Sequence, residues 1–387
     1  MSNHEHHKIY TAIGLMSGTS MDGTDLALIR SDGRNFIERK KFAYTPYSSD
    51  FKNKLQRLIY GAPSLREIKM IENDLTLLNA EIVNNFLEKN KIERKEIDAI
   101  AFHGHTILHV PEHKITWQIG NAELLAAKTG INIVADFRNR DVAFGGQGAP
   151  LVPIYHFYLF CNQIKPAMIL NIGGISNVTY FAGDQESDIE AFDVCFGNAP
   201  FDDLVRKKLQ QDFDKNGELS KRGNIDFILA DRILRNDIFH KKPPKSFDRD
   251  DFAELLAPIN SLAVEDALAT FAYMHAKVIQ INVEFLAQIH QGARPKIIFV
   301  CGGGRKNAAI MDEMRKWITG VEIKAVEDLG FNGDAIEAEA FAFLAIRRML
   351  KMPISFQKTT GISPADNCAP ALLPQHFSSY GGVFYPA

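Results

Sequence analysis

The apolar positions of the chain fall into short runs that end in glycine-rich or polar loops. Two such runs lie between Ile13 and Ile29, in the stretch IGLMSGTSMDGTDLALI, and flank a centre of glycine, hydroxyl and acidic residues. Two apolar runs around such a loop predict a β-hairpin. A third strand is expected at Asn35 to Tyr44. The loop holds more polar groups than a turn needs, which indicates that it binds something.

Helical periodicity begins after this hairpin. Ser64 and Glu67 predict a capping box at the start of a helix. The apolar residues that follow at helical spacing are Leu65, Ile68, Leu75, Leu78, Ile82 and Phe86. Strands are predicted at Ile97 to Phe102 and at Ile131 to Asp136, with a short helix closed by Gly130 between them. The predicted order is therefore βββαβαβ.

The same order starts again in the second half of the chain. We predict a hairpin at Ala167 to Phe181, a long helix at Leu262 to Ile289 and a buried strand at Lys296 to Gly304, followed by a helix, a strand and a helix. This repeat predicts two related α/β domains that face one another across a cleft. We assign residues 1–145 and about 340–387 to the first domain, and residues 146–339 to the second.

Composition narrows the class of protein. The 387 residues are 46% hydrophobic and 24% charged, with a net charge of -3, so we expect neither a nucleic-acid nor a membrane partner. The four cysteines are far apart and have no CxxC spacing, which argues against disulfides and structural zinc. The first ten residues lack the apolar core of a signal peptide, and no apolar segment approaches the roughly 20 residues that span a bilayer. We expect a cytoplasmic protein.

Three glycine-rich loops each follow an apolar run: GTSMDGTD from Gly18 to Asp25, NIGGISN from Asn171 to Asn177, and CGGGRKN from Cys301 to Asn307. Glycine lets backbone N–H groups approach a phosphate closely, hydroxyl groups add donors, and an adjacent aspartate can hold Mg²⁺. One glycine cluster is more often a tight turn, but three after apolar strands predict phosphate binding. The chain has neither a P-loop nor a GxGxxG that opens a helix.

Longer motifs carry a resemblance to a known family. The first hairpin and four further segments resemble those of anhydro-N-acetylmuramic acid kinases. The four segments are DFRNRDVAFGGQGAPLVP (Asp136 to Pro153), LNIGGISNV, PPKS (Pro243 to Ser246) and VCGGGRKN. Order and spacing match from about Ile13 to Pro386. The resemblance implies an α/β fold of two actin-like (ribonuclease H-like) domains with ATP and sugar in the interdomain cleft, and it suggests a homodimer.

The family uses ATP and water to convert 1,6-anhydro-N-acetylmuramic acid into N-acetylmuramic acid 6-phosphate, in peptidoglycan recycling and amino-sugar catabolism. Water must attack the anomeric carbon, so a carboxylate base is required. By resemblance to the family motif FDxGPGN, that base is Asp193 in the segment FDVCFGN. Cys195 and Phe196 replace the family's Gly-Pro pair, which puts the shape of the loop and the fit of the substrate in question.

The resemblance assigns roles to further residues. ATP or its phosphates are expected to contact the two hairpins and the late glycines, namely Gly18, Thr19, Ser20, Met21, Asp22, Gly23, Thr24, Asp25, Gly173, Gly174, Gly302, Gly303 and Gly304. Asp22 is the expected Mg²⁺ ligand, with Asp25 as the second choice. The expected substrate contacts are Arg138, Arg140, Gln147, Asn198 and Glu337.

Several of these residues have a structural alternative. The arginines could pair with Asp136 or Asp141, the GGQGAP loop could be a hinge, and Glu337 could be an exposed helical glutamate. His105 stands in HGHT where the family has HGQT, and we expect a pocket wall or a hydrogen-bonding group there rather than a metal ligand.

Other functions are considered beside this one. The fungal levoglucosan kinases share the fold and open a smaller anhydro sugar, but they carry GRQGAP where this chain has GGQGAP. The altered FDVCFGN loop could mark a weakened protein that binds sugar or nucleotide and regulates another process. An actin-like or chaperone-like ATPase would have no use for the DFRNRD and GGQGAP segments.

Overall fold

A computed structural model describes residues 8–18, 21–243, 245–363, 378–379 and 381–387. The chain divides into two compact units. Unit 1 consists of Met1–Cys161 and Ala335–Ala387, and unit 2 is Asn162–Asp334. The first division therefore lies after Cys161 rather than after residue 145. The Tyr155 hydroxyl donates to a Glu339 carboxylate oxygen at 2.8 Å, and this contact keeps the segment after GGQGAP with unit 1.

The amino-terminal part of unit 1 holds the first hairpin, two long helices and a second, separate hairpin. Its elements are β1 (Tyr10–Met16), β2 (Gly23–Ser31), β3 (Ile37–Pro46), α1 (Ser49–Tyr60), α2 (Leu65–Asn90), β4 (Ala99–Phe102), β5 (His105–Val110), β6 (Ile115–Ile119), α3 (Ala122–Thr129), β7 (Ile133–Ala135), α4 (Asn139–Ala143) and α5 (Pro153–Leu159). The capping box predicted at Ser64 and Glu67 is confirmed at the start of α2.

Unit 2 repeats the hairpin and then adds helices. Its elements are β8 (Ala167–Ile172), β9 (Ile175–Phe181), β10 (Ile189–Phe196), α6 (Ala199–Leu209), α7 (Phe227–Leu234), α8 (Ala253–Leu256), α9 (Val264–Ile289), β11 (Ile297–Cys301), α10 (Ala308–Trp317) and β12 (Glu322–Ala325). The chain then returns to unit 1 with α11 (Ile336–Met349), β13 (Ser355–Phe356), α12 (Gln357–Thr360), β14 (Ser378–Ser379) and β15 (Val383–Tyr385).

The main sheets of the two units share a five-stranded arrangement, to which unit 1 adds the antiparallel strand β15. In unit 1 the strand order is β15-β7-β4-β1-β2-β3, and in unit 2 it is β10-β9-β8-β11-β12. In each sheet the first three strands in sequence form an antiparallel meander. The first of them also pairs, on its other side, with a parallel strand, and that strand pairs with a second parallel strand. This repeated arrangement confirms the prediction of two actin-like α/β domains.

Helix α11 packs directly on the first hairpin. A Cβ atom on Gly14 would lie 1.8 Å from the Ala338 carbonyl oxygen and 2.8 Å from the Ala342 nitrogen. Only glycine lets the backbone of β1 come this close to the helix. The carboxyl-terminal segment therefore covers the strand that leads into the first glycine loop.

The core of unit 2 lies between one face of its sheet and the helices α6, α7, α9 and α10. Along β8 the core residues are Met168, Leu170 and Ile172, whereas Asn171 lies on the opposite face. This alternation follows the period of two along a strand. Asn171 and its register partner Asn177 therefore stand on the side of the sheet away from this core.

Candidate active site

The first glycine loop joins β1 to β2. The Met21 N–H donates to the Gly18 carbonyl oxygen at 3.1 Å, and Met21 has a φ of 55°. A non-glycine residue in this left-handed region is uncommon and costs free energy unless its surroundings hold it. Thr19 and Ser20, the residues predicted to meet the phosphates, lie outside the described residues. The hydrogen bond between Met21 and Gly18 joins the two described ends of this loop.

Asp22 leaves this turn with its backbone anchored and its side chain exposed. Its carbonyl oxygen accepts from the Tyr47 N–H at 2.9 Å and from the Tyr44 hydroxyl at 3.0 Å. Burial raises the pKa of both tyrosines, and the carboxylates of Asp22 and Asp25 raise it further. Both carboxylates therefore lie near this pair of phenols. The exposed carboxylate of Asp22 fits a Mg²⁺ ion that keeps most of its water and phosphate ligands.

A buried chain of hydroxyl groups supports the base of the same turn. Thr24 and Tyr47 share a hydrogen bond of 2.9 Å, the Tyr47 hydroxyl donates to Ser17 at 2.8 Å, and Ser17 Oγ lies 2.9 Å from His105 Nδ1. Burial lowers the pKa of His105 to about 4, so its imidazole is neutral near pH 7. Nothing in the described part of the chain groups three or more His, Cys, Asp or Glu residues as a metal site. His105 is a buried hydrogen-bonding residue.

The segment from His103 to His105 also reaches the arginine motif. Arg138 Nε donates to His103 Nε2 at 3.0 Å, which requires the proton of the neutral His103 to be on Nδ1, where it can donate to the Gly104 carbonyl oxygen at 3.0 Å. Burial, and then the charge of Arg138, hold the pKa of His103 well below its ordinary value. Arg140 is exposed, and its guanidinium carbon lies 5.2 Å from the centre of the Phe144 ring.

Asp141 organises the GGQGAP loop, a role that sequence reasoning did not assign. Its buried carboxylate accepts from the Gly148 N–H, the Ser355 hydroxyl and the Thr360 hydroxyl, each at 2.6 Å. A Cβ atom on Gly146 would lie 2.1 Å from this carboxylate, so a side chain there would displace it. Burial raises the pKa of Asp141 despite these donors. The loop that carries Gln147 is therefore a fixed structure folded around one carboxylate.

Two glutamates near the start of α11 have different surroundings. Glu337, the predicted substrate contact, is partly exposed, whereas Glu339 is 5% exposed and accepts the Tyr155 hydroxyl at 2.8 Å. Burial raises the pKa of Glu339. Glu339 is thus the packing residue that joins α11 to α5, and Glu337 is the more exposed of the two.

The second hairpin turn, in unit 2, meets two other predicted segments. The Gly197 N–H donates to the Gly174 carbonyl oxygen at 2.8 Å, and the Asn198 N–H donates to the Gly173 carbonyl oxygen at 2.7 Å. A Cβ atom on Gly304 would lie 3.0 Å from Asn198 Oδ1. The structure therefore brings the hairpin glycines, Asn198 and the late glycines of Gly302 to Gly304 together at one edge of the sheet.

Asp193 lies at the same edge. Its register partner across β9 is Asn177, which in turn faces Asn171 on β8, and Asn171 faces Cys301 at the end of β11. One oxygen of the Asp193 carboxylate, Oδ2, accepts from the Phe247 N–H at 3.0 Å and from the Ser246 hydroxyl at 3.3 Å. The carboxyl ends of parallel strands are where α/β sheets commonly bind ligands. Asp193 thus belongs to one row across the sheet with Asn177, Asn171 and Cys301.

The replacement of Gly-Pro by Cys195 and Phe196 leaves this edge clear. Phe196 is 1% exposed, and its ring contacts those of Phe239, Phe252 and Phe271 in the core of unit 2. The pairing of β10 with β9 shifts register between Asp193 and Cys195, as in a β-bulge. The large side chain therefore adds to the core instead of filling the space at the glycines. Cys195 is also buried, and burial raises its thiol pKa.

No helix within the described ranges is both long and apolar enough to cross a membrane.

Comparisons with known proteins agree with the motifs. The family model described as anhydro-N-acetylmuramic acid kinase matches residues 10–370. The anhydro-N-acetylmuramic acid kinase of Rhizobium etli is 42% identical over 365 residues, which cover 92% of this chain and 96% of that protein. The enzyme of the same name from Zymomonas mobilis is 40% identical over 360 residues and 96% of its length.

Among solved structures, a ROK family glucokinase from Streptomyces griseus matches with a TM-score of 0.40 and 13% identity, over 86% of this chain and 98% of that one. A likeness of this size is too weak to bear on function or fold. The match of the family model over most of the chain, with relatives at about 40% identity along almost their whole length, is decisive: the chain belongs to the anhydro-N-acetylmuramic acid kinase family.

Proposed function

We propose that this protein is a phosphotransferase that uses ATP and water to open 1,6-anhydro-N-acetylmuramic acid and releases N-acetylmuramic acid 6-phosphate. Membership of a kinase family implies ATP and a sugar as substrates. The observation that carries the proposal is the position of Asp193, whose carboxylate is held by two donors on the edge of the sheet where the glycines meet. The reaction belongs to peptidoglycan recycling and amino-sugar catabolism in the cytoplasm, and we expect a homodimer.

Asp193 acts as the general base. It takes a proton from the water that attacks the anomeric carbon, and the bond from that carbon to the bridging oxygen breaks. The oxygen that is released attacks the γ-phosphorus of ATP, and ADP leaves. A base oriented by two hydrogen bonds loses little freedom when the water binds, which favours the attack.

Backbone N–H groups are the main phosphate ligands in this proposal. Gly173 and Gly174 bind phosphate oxygens in unit 2, and Gly302, Gly303 and Gly304 face the nucleotide. The turn from Gly18 to Asp25, which includes Thr19, Ser20, Met21, Gly23 and Thr24, binds phosphate in unit 1. Asp22, with Asp25 beside it, would hold Mg²⁺, which would neutralise charge on the transferring phosphoryl group.

The sugar is assigned to the remaining polar residues. Arg140, exposed and stacked on Phe144, is the favoured partner for the lactate carboxylate, and Arg138 is set by its bond to His103. Gln147, on the loop folded around Asp141, reaches an amide or hydroxyl group. Asn198 and Glu337 complete the set.

Replacement of Asp193 by asparagine tests the assignment. Asparagine keeps the size of the side chain and can still accept from Phe247, so ATP binding should stay within about twofold of wild type. Turnover should fall by about a thousandfold or more, because the amide cannot take a proton. Wild type and variant are incubated with ATP, Mg²⁺ and the anhydro sugar, and the 6-phosphate is measured by mass spectrometry. Product from the variant at a rate near that of wild type would rule out Asp193 as the base.

The same assay separates the alternatives. A levoglucosan-type kinase would phosphorylate 1,6-anhydroglucose faster than the muramic acid derivative. A regulator that only binds would retain ATP or sugar affinity without product from either sugar. The intact Asp193, the glycine turns and the arginine motif favour the muramic acid kinase over both.

A further inference from the structure

The segment from Lys245 to Phe247, which includes the end of the PPKS motif, contacts Asp193 at three points. Besides the two donors to Oδ2, the Lys245 carbonyl oxygen accepts from the Asp193 N–H at 3.2 Å. Backbone and side chain of Asp193 are thus both held by consecutive residues of another segment. We call this segment the carboxylate clamp.

The clamp is anchored by a buried lysine. Lys245 is 6% exposed, and its ammonium group donates to Asn282 Oδ1, at 3.1 Å, from helix α9. The same ammonium lies 5.3 Å from the centre of the Phe192 ring and 5.8 Å from that of Phe247. Burial of a lysine costs several kcal/mol of hydration free energy, which is comparable to the stability of a folded domain. Lysines are therefore rarely buried unless their charge has a use.

The charges near the ammonium group come from two elements. Burial lowers the pKa of Lys245 to about 8, Cys195 and Asp193 on β10 oppose that effect, and Lys241, earlier on the lysine's own segment, adds to it. Asn282, the contact from α9, carries no charge. The lysine can therefore lose its charge near pH 8, and Asp193 is one of the groups that oppose this loss.

We propose that the carboxylate clamp positions Asp193 for catalysis, with Ser246 and the Phe247 N–H orienting the carboxylate and the buried Lys245 anchoring the segment that carries both donors. The proposal rests on the proposed function. Lys245 and Ser246 are positioning residues, because they act through Asp193 and not on the substrate.

Two variants test the two parts of the clamp. Ser246→Ala removes one donor from an exposed position, so it should fold normally. Lys245→Met removes the charge and keeps a flexible apolar side chain of similar length. The matched controls are Ser261→Ala, whose hydroxyl donates to the Pro258 carbonyl oxygen, and Lys277→Met, whose ammonium lies 4.8 Å from the centre of the Trp317 ring.

The measurement is kcat and KM for ATP and the anhydro sugar between pH 5.5 and about 9.5. We expect Ser246→Ala to lower kcat by about tenfold, the effect of one hydrogen bond to a charged group, with KM for ATP within about twofold. Its acidic limb should move to higher pH, because a carboxylate that loses a donor binds its proton more tightly. Lys245→Met removes the hydrogen bond to Asn282 that anchors the clamp, so it should also lower kcat while KM for ATP stays within about twofold.

The outcomes distinguish this proposal from the one on which it rests. If wild type turns over and the pH profile of Ser246→Ala superimposes on that of wild type, the clamp alone is overturned, whatever the loss in kcat. A wild-type protein that makes no 6-phosphate from the anhydro sugar would overturn both. Controls that shift the profile as Ser246→Ala does would also overturn the clamp, because the effect would then be general.

Discussion

Gly174 offers a direct test of phosphate binding because the fold itself does not need a glycine there. No atom lies within 4 Å of where its Cβ would be, its φ lies outside the left-handed region, and the residue is exposed. A Gly→Ala change at such a position stabilises a protein by about 0.4–1 kcal/mol, because it restricts the unfolded chain. If the backbone of Gly174 binds a phosphate, however, the added methyl group occupies the space through which the phosphate reaches the backbone.

The magnitude follows from the hydrogen bond that would be lost. A bond from a backbone N–H to a charged oxygen contributes about 1.5–3 kcal/mol. Loss of one such bond raises the Kd for ATP by roughly 10- to 100-fold. We therefore expect Gly174→Ala to keep or slightly raise the melting temperature and to weaken ATP binding by that factor.

Titration calorimetry with ATP and Mg²⁺, together with thermal unfolding, measures both quantities. Gly197→Ala is the contrasting variant, because its Cβ would lie 2.2 Å from the Gly173 carbonyl oxygen and neither backbone can move aside cheaply. It should lower the free energy of unfolding by about 1–3 kcal/mol. An unchanged Kd for ATP in a folded Gly174→Ala protein would refute the assignment of this turn to phosphate.

Two further predictions concern buried ionisable groups. Asp141→Ala should lower the free energy of unfolding by about 3 kcal/mol or more, because three donors lose their acceptor inside unit 1; an unchanged melting temperature would contradict the role of Asp141. His105 and His275 have pKa values lowered by burial to about 4, below the 6.5 of the unfolded chain. The unfolded chain therefore binds protons first as the pH falls, and each residue costs up to about 1.4 kcal/mol of stability per pH unit between 6.5 and 4. Melting temperatures that stay constant from pH 7 to pH 5 would contradict this.

Sequence patterns predicted the helices and strands whose formation depends on residues close together in the chain. The hairpins around the first two glycine loops, helix α2 with its capping box and the long helix α9 all follow from apolar spacing and caps within a few residues. The hairpin of β5 and β6 was missed because its strands are short and carry exposed apolar side chains such as Leu108, which do not alternate cleanly.

Long-range contacts were beyond such patterns. Asp141 binds hydroxyl groups of Ser355 and Thr360 more than 200 positions away, and no local signal pairs them. Lys245 is polar and would be expected at the surface, yet it is buried. The resemblance named Glu337, but only the packing of α5 on α11 reveals the separate structural work of Glu339.

The close approach of Gly14 to Ala338 has a consequence for how the protein is made. Strand β1 leaves the ribosome before unit 2, whereas α11 and β15, which complete the unit of β1, leave after it. Domains generally fold as units during synthesis. Unit 2, which is continuous in sequence, can complete its folding before α11 and β15 are available to pack on the earlier strands of unit 1. The nascent amino-terminal half is thus exposed longest, and translation that stops after Asp334 would yield one complete unit and one that cannot close.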